Sequence, residues 1–537
     1  MVNRETRIIT AALPFANAVP HLGNIVGSHL PADIFARYCR IKGHRTIFVG
    51  GLDEHGTAIE FAAQKLGVTP QSLCNRLYKK HKKIYDWFNI SYDNFFRTSD
   101  PLHHQLVQEF AIRLYKRNIL VEKSIELPFC PTCQKFLADR YIRGTCPKCG
   151  DDNAHGGQCE NCATVLTPRE LGTPHCAVCG SYNIEFRKKK HLFLELKQVL
   201  PLLKKWLDNN PNIKPQIKKL AKGWLNLGIN ARCITRNLKW GVPVPIKGYK
   251  DKVFYVWFDN VIGYISATVN LLGKGGKKLW MNPDTKTYYF LGKDNIPFHT
   301  IFWPGQIIAD ERFVLPHNVI GFQYLNFEGK KFSKSKQIGI FGDQVMRCNI
   351  PVDYWRFYLT RIIPEKKDTE FTIAGFQEKI NTELNDNIGN FINRTVHLIW
   401  SKKGGKLPQL ENSDEEIESQ INSIIKKIDI HFEKCELKYA LQEILRLADF
   451  GNKYIADSKP WQTGDVTILS YCYEICRILA IYLSPIIPHS SQSILESLET
   501  SDTSIALSKK PKSVKQPQTI FHKLEESDLL CIRRLSS

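Results

Sequence analysis

The chain has 537 residues, 43% of them hydrophobic, enough to build several cored domains. Lys and Arg outnumber Asp and Glu by 74 to 53, a formal net charge of +21, which suits a polyanionic partner, RNA or DNA, better than a small acidic ligand. No apolar run approaches the roughly 20 residues needed to cross a bilayer, which argues against a membrane protein.

The opening Met1-Val2-Asn3-Arg4-Glu5 leads directly into residues 7–13, which read as a strand. No signal-peptide architecture precedes it and no room is left for a transit peptide, so a cytosolic location is expected. Thiols stay reduced there, and the 16 cysteines are expected as ligands or small buried residues, not disulfides. Next comes His21-Leu22-Gly23-Asn24, ahead of an apolar-periodic stretch over residues 25–42. A histidine, a glycine and a polar side chain at a helix start can meet phosphate oxygens through donors, close backbone approach and the helix dipole. A capped helix explains the segment equally well. Pro31 inside that helix predicts a kink. Residues 46–53 form a second apolar strand that ends in Asp53, where the chain turns. Parallel α/β sheets bind ligands at the carboxyl ends of their strands, so Asp53 is a candidate site residue; capping the helix after Gly56 is its other reading.

Between about residues 122 and 187, cysteines, glycines and charges replace the apolar patterns, as in an insertion held by metal. Four CxxC pairs fall there: Cys130/Cys133, Cys146/Cys149, Cys159/Cys162 and Cys176/Cys179. Eight thiolates make two tetrahedral zinc sites, and sites closed by four cysteines are structural, not catalytic. A nested arrangement is expected, inner pairs on one ion and outer pairs on the other, with sequential pairing as the rival. The remaining cysteines, such as Cys39, Cys74 and Cys472, read as core.

Strand-like runs return at residues 252–258 and 287–292, so the sheet is split by the insertion. Lys331-Phe332-Ser333-Lys334-Ser335, flanked by Gly329, Lys330 and Lys336, is a strongly cationic loop that can close over a triphosphate. A solvated basic turn is its plainer reading. From about residue 372 the pattern is helical, with apolar positions every three or four residues, as in Ala440, Ile444, Leu447 and Ala448. Residues 401–413 read as an inter-helix loop and 501–518 as a polar, lysine-rich linker. Phe521-His522-Lys523-Leu524 is apolar enough to dock back onto the body.

These segments together resemble the class I aminoacyl-tRNA synthetases, and among them the methionyl-tRNA synthetase family. His21-Leu22-Gly23-Asn24 looks like the HIGH signature and Lys331-Phe332-Ser333-Lys334-Ser335 like KMSKS. The resemblance extends through Ala12 to Asn17, Asp53-Glu54-His55-Gly56, Phe254 to Asp259 and Gly292-Lys293-Asp294, and covers nearly the whole chain. Asn24, Phe332 and Asp294-Asn295 look more like the eukaryotic cytosolic branch than the bacterial one.

The resemblance implies an α/β fold: a Rossmann-type parallel sheet split by a zinc-binding insertion, then an all-α anticodon-binding bundle. Its expected boundaries are 1–118 and 236–325 for the two catalytic halves, 119–235 for the insertion and 326–375 for a stem-contact region. The bundle would span 376–500, and 501–537 would be linker and docking segment. The implied reaction joins methionine to ATP as methionyl-adenylate, releasing pyrophosphate, and then passes methionine to the 3′ end of tRNA. The first step asks the protein for alignment and charge neutralisation, not for a nucleophile. By resemblance, His21, Asn24, Lys331 and Lys334 act on the triphosphate. Gly23, Gly292, Asp294, Leu325, Ser333 and Ser335 bind ATP, with Mg²⁺ expected alongside. Asp53 meets the substrate ammonium, a match that charge also supports. Leu13, Phe15, Trp257, Asn260, Val261, Tyr264, Asn295 and His299 line the methionine site, where an aromatic box suits a polarizable thioether.

Phe15 stands where the family usually has tyrosine, Asn260 where it has a small residue, and Asn237 where an aspartate is common. In the helical region Asn390 and Arg394, four apart on one face, and Trp461 match the family's anticodon contacts: donors for base edges and an indole for stacking. Without the family they are a polar face and a core anchor. The rival functions are a class I synthetase for leucine, isoleucine or valine, whose long editing insertion is missing here, and a non-catalytic zinc-containing RNA-binding protein. No membrane partner is expected. A monomer is expected, and the residues leave open whether the chain joins a multi-synthetase complex.

Overall fold

Apolar runs rich in β-branched and aromatic residues build the central sheet from β1 (Thr6–Ala11), β2 (Arg45–Leu52), β3 (Asn94–Arg97), β4 (Lys286–Gly292) and β5 (Asn318–Phe322). In this computed structural model, residues 4–536 are described, apart from 158, 160, 163, 165, 333–337 and 411–412. The strands lie in the order β5-β4-β1-β2-β3, and every neighbouring pair is parallel. A sheet covered on both faces buries successive side chains alike, which is why the strands carry consecutive apolar residues instead of a strict alternation. Ile8 and Ile9 of β1, and Phe290 and Leu291 of β4, are accordingly all fully buried. Central β1 pairs with β2 on one side and β4 on the other, so the three strand ends open onto one crevice.

The insertion expected over residues 119–235 falls between β3 and β4. Its frame is an antiparallel ribbon, Leu120–Cys130 against Glu185–Leu194, with the cysteine loops at its far end. A strand over 252–258 does not form. The strand is limited to Val253–Phe254, paired with Thr235–Arg236, and Val256–Asp259 turns into helix. Val253, Phe254, Val256 and Phe258 are all buried, and a short apolar run satisfies that need in either conformation.

The helix after β1 begins with Leu22–Asn24, widens into a π-helix over Ile25–His29 and continues as α-helix over Leu30–Ile41. Pro31 therefore sits in the first turn of the α-helical part, which immediately follows the π-segment. A π-segment, Ile25–His29, stands just ahead of the proline at which the sequence predicts a kink.

Beyond residue 372 the chain is helical: Ile373–Lys379 passes through a π-segment, Ile380–Gly389, into Asn390–Lys403. Glu415–Glu433, Leu437–Ser458, Val466–Leu483 and Pro488–Ser497 complete the bundle. Ala440, Ile444, Leu447 and Ala448 are fully buried, as their spacing predicts. Val466–Leu483 is, by length and composition, apolar enough to cross a membrane, contrary to expectation, but it packs inside the bundle, 83% buried. The stretch 401–413 is not wholly loop. Helix persists to Lys403, and Lys406–Leu407 pairs with Lys512–Ser513 from the polar segment, tying that segment to the bundle. Phe521 and Leu524 are buried, and a last helix follows, Glu526–Ser536.

Its return places Cys531 against Cys348, and the two form a disulfide with Cα atoms 5.6 Å apart. That corrects the expectation of reduced cysteines throughout; a separation of 183 residues gives no spacing signal. Arg356, fully buried, joins the catalytic half to the bundle. Its guanidinium pairs with Asp33 at 2.7 Å and donates to the carbonyls of Phe88, Pro485 and Ile486.

Candidate active site

Where β1 and β4 end, a cavity of about 280 Å³ brings together His21, Gly23, Asn24, Gly292, Asp294, Leu325 and Lys331. His21 caps the helix. Its Nδ1 accepts the Asn24 N–H at 3.2 Å, and Asn24 Oδ1 accepts the His21 N–H at 3.2 Å. With Nδ1 as acceptor, the imidazole carries its proton on Nε2. A Cβ on Gly23 would stand 3.0 Å from His21 Nδ1, so glycine lets the ring fold onto the helix start. The cap and the phosphate reading are thus compatible.

The downstream segment lies directly on this cap. The Phe332 ring stacks on His21, centroids 4.9 Å apart and planes 20° from parallel. Around it, Leu22 N–H donates to Ile340 O at 3.0 Å and Gly342 N–H to Pro20 O at 2.8 Å. Ser333, Lys334 and Ser335 lie outside the described residues. Lys331 is described, and its ammonium sits 4.1 Å from the Tyr324 ring centroid, with Lys293 at 3.7 Å from the same ring. Tyr324 donates its hydroxyl to Asp294 Oδ1 at 2.5 Å, fixing the carboxylate matched to ribose binding. Sequence reasoning missed Tyr324; its position beside Leu325 was the available signal.

A second cavity, about 230 Å³, is lined by Leu13, Phe15, Asn24, Trp257, Asn260, Tyr264, Asn295 and His299, with Asn17 also on its wall. Leu13, Asn24 and Asn295 line both cavities, so the two adjoin. Phe15 meets Trp257 edge-on at 5.9 Å, and Phe298, not foreseen, stacks on the other ring at 3.8 Å. His299 Nδ1 donates to Asn295 O at 2.9 Å, which leaves Nε2 to accept the Tyr264 hydroxyl at 2.8 Å. Burial pushes the His299 pKa down to about 4, so it stays neutral and this orientation is kept. Val261 is 1% exposed and packs in the core, outside the residues lining the cavity.

Asp53 is fully buried behind the wall. Its backbone is clamped by Ala16 N–H to Asp53 O at 2.8 Å and Asp53 N–H to Pro14 O at 3.0 Å. It does not cap the following helix, whose first residue follows Gly56 without side-chain capping. Asn260 Nδ2 donates to Asp53 Oδ2 at 3.0 Å. Burial and then the neighbouring Asp259 drive the Asp53 pKa well up, while the Asn260 bond opposes them. Burial also disfavours ionised Asp259, but His55 and His103 outweigh it and hold that carboxyl below its ordinary value. His55 Nδ1 lies 2.7 Å from Asp259 Oδ2. Two ligands of one tetrahedral zinc, about 2.1 Å from the ion, would stand roughly 3.3 Å apart, so this contact is a hydrogen bond and not a third metal centre.

The eight predicted cysteines gather into two groups, Cys130, Cys133, Cys176 and Cys179, and Cys146, Cys149, Cys159 and Cys162. The arrangement is nested, not sequential. Sulfur–sulfur distances are 3.6 Å for Cys130–Cys179, 3.8 Å for Cys133–Cys176, 3.8 Å for Cys146–Cys162 and 3.6 Å for Cys149–Cys159. Four sulfurs about 2.3 Å from a tetrahedral ion stand roughly 3.8 Å apart, so each group can hold one metal ion. In the bundle, Asn390 and Arg394 share the helix Asn390–Lys403, with Asn390 exposed. The Arg394 guanidinium lies 5.8 Å from the ring centroid of Trp461, itself 37% exposed.

A parallel sheet carrying a nucleotide-facing helix start, split by a metal-binding ribbon and followed by a helical bundle, is the class I synthetase architecture. Residues 7–396 match the family model described as tRNA synthetases class I (M), and 414–532 match the anticodon-binding domain of tRNA ligase. The methionine–tRNA ligase of Thermofilum pendens is 39% identical over 546 residues, covering 98% of this chain and 96% of that protein. Methionine–tRNA ligase 1 of Acaryochloris marina is 39% identical, covering 97% of each. The cytoplasmic methionine–tRNA ligase of Caenorhabditis elegans is 38% identical over 97% of this chain and 59% of its own length. The chain therefore belongs to the methionine group of the class I tRNA synthetases. Methionyl-tRNA synthetase of Mycobacterium tuberculosis, solved in complex with methionyl-adenylate, shares the fold at a TM-score of 0.78 and 22% identity, over 96% of this chain and 99% of that one. The relatives come from archaea, bacteria and a nematode at similar identity, so they do not single out a eukaryotic branch.

Proposed function

We infer that the protein is a methionine–tRNA ligase. The observation that carries this reading is the junction of the two cavities at Leu13, Asn24 and Asn295. An amino acid held by Asp53, with its side chain among Phe15, Trp257, Tyr264 and His299, presents its carboxylate toward the nucleotide side. There a carboxylate oxygen attacks the α-phosphorus of ATP, the bond to the β-phosphate oxygen breaks, and pyrophosphate leaves. His21, Asn24, Lys331 and Lys334 neutralise charge on the triphosphate and the leaving group. Gly23, Ser333 and Ser335 supply close backbone or hydroxyl contacts, while Gly292, Asp294 and Leu325 seat the adenosine. In the second step a terminal ribose hydroxyl of the tRNA attacks the acyl carbonyl, and AMP leaves.

The nested cysteine groups are read as two structural zinc sites, and Mg²⁺ as accompanying ATP. Asn390, Arg394 and Trp461 are read as anticodon contacts, with the basic surface holding tRNA phosphates. The domain boundaries drawn from the sequence, a monomeric state and a cytosolic setting are part of the proposal. The eight cysteine ligands, which must be thiolates, support the last, while the Cys348–Cys531 disulfide counts against it. A eukaryotic-type affinity rests on Asn24, Phe332 and Asp294-Asn295 alone.

ATP–pyrophosphate exchange with methionine, leucine, isoleucine and valine offered separately tests the reading. Exchange that depends on methionine and is at least tenfold weaker with the others supports it, since one methylene of difference discriminates by roughly 10–200-fold. No methionine-dependent exchange would contradict it.

A further inference from the structure

We propose that Asn260 is the second half of an ammonium clamp, its amide oxygen accepting an N–H from the substrate's α-ammonium while Asp53 supplies the charge. This rests on the reading of the aromatic cavity as an amino-acid site. Asp53 is fully buried and is not itself among the residues lining that cavity, whereas Asn260, 8% exposed, is. Asn260 thus holds Asp53 with one end of its amide and lines the cavity itself, so an ammonium bound against Asn260 lies beside the carboxylate that supplies the charge.

The orientation of the amide follows from chemistry. Paired with an ammonium, Asp53 is ionised and only accepts hydrogen bonds, so in the bound state the Asn260 group 3.0 Å from Asp53 Oδ2 is the NH₂, the donor that opposes the rise burial gives the Asp53 pKa. Oδ1 is then the polar atom that Asn260 has left to offer the cavity. An ammonium has three N–H donors, and a carboxylate plus an amide oxygen satisfy two of them from one side. The residue type also fits by exclusion. Lysine or arginine here would repel the ammonium. A second ionised carboxylate beside Asp53 and Asp259 would concentrate like charge in a buried site. An apolar residue would leave Asp53 without its side-chain donor, and a carboxyl group that took up a proton could no longer pair with an ammonium.

The test uses the full chain and two substitutions, Asn260→Ala and the near-isosteric Asn260→Leu, in ATP–pyrophosphate exchange. A hydrogen bond to a charged group corresponds to roughly a tenfold or greater change in affinity. Both variants should therefore raise the methionine KM at least about tenfold, with the ATP KM unchanged. The inhibition constant of 4-(methylthio)butanoate, which is methionine without its amino group, should also be unchanged. Three outcomes would overturn the proposal: a wild-type methionine KM in Asn260→Leu, equal losses for methionine and the amine-free analogue, or an effect in Asn260→Ala alone, which would assign Asn260 to shape. If Asn260→Ala does not fold, Asn260→Leu decides alone. Absence of methionine-dependent exchange in the unsubstituted protein would overturn the functional reading, and this inference with it; normal exchange with an unaltered Asn260→Leu would overturn only the clamp.

Discussion

Phe332 lies flat on His21, so the two nucleotide segments, more than 300 residues apart in the chain, meet through one ring stack. The backbone bonds from Leu22 and Gly342 close the same junction. Stacked aromatic pairs contribute about 0.5–1.5 kcal/mol beyond their buried area. Phe332→Ala should accordingly slow exchange by roughly 2–10-fold at saturating methionine, whereas Phe332→Met, which keeps an apolar body on the ring, should lose less. Steady-state exchange measures this; an unaltered rate in Phe332→Ala would show that the stack does not position His21.

Lys334 is assigned to the triphosphate and not to tRNA. Lys334→Ala should lower exchange by about 10²-fold or more, in line with removal of one preorganised stabilising group. Its tRNA affinity, read by filter binding at fixed salt, should change little. Equal losses in both assays would contradict the assignment.

The nested cysteine groups predict two independent metal sites. Cys130→Ser should reduce bound zinc from two equivalents to one and leave the Cys146 group loaded. The converse holds for Cys146→Ser. Metal content by elemental analysis decides, and loss of both ions from either single substitution would argue against separate sites.

Arg356 and Asp33 form a fully buried pair that fastens the catalytic half to the bundle. Removing one partner of such a pair typically costs about 3–5 kcal/mol, because a charge is left buried alone. Arg356→Met should lower the thermal midpoint clearly. Burial opposes ionisation of Asp33, but Arg356 and Arg37 outweigh it and depress its pKa. The stability it contributes is therefore present above the unfolded carboxyl value of about 3.9 and is lost as pH falls through the lower folded value. Melts of both proteins from pH 7 downward should converge at acid pH; a constant gap would contradict the pair's role.

Much of this architecture could be read from residue order, because each legible feature had a strong local signature. The runs that became β1, β2 and β4 carry consecutive apolar residues, and four CxxC pairs in one window leave few arrangements. Features that depend on distant partners were not legible. Tyr324 matters because Lys293, Lys331 and Asp294 surround it, and Phe298 because Trp257 lies across its face. Cys348 and Cys531 carry no spacing signal, and the aromatic run after Lys252 fits helix or strand equally well. Val261 shares a motif with pocket residues but packs in the core without lining the cavity.

The ligase reading is tested most directly by charging tRNA(Met) transcripts with labelled methionine, CAU anticodon against an altered one. The account predicts efficient 3′-end charging of the CAU transcript. It predicts a loss of roughly 10-fold or more on changing the anticodon or on Trp461→Ala, since stacking on one base contributes about 1–3 kcal/mol. Exchange without tRNA should be unaffected by Trp461→Ala. Failure to charge the CAU transcript, with methionine activation intact, would contradict it.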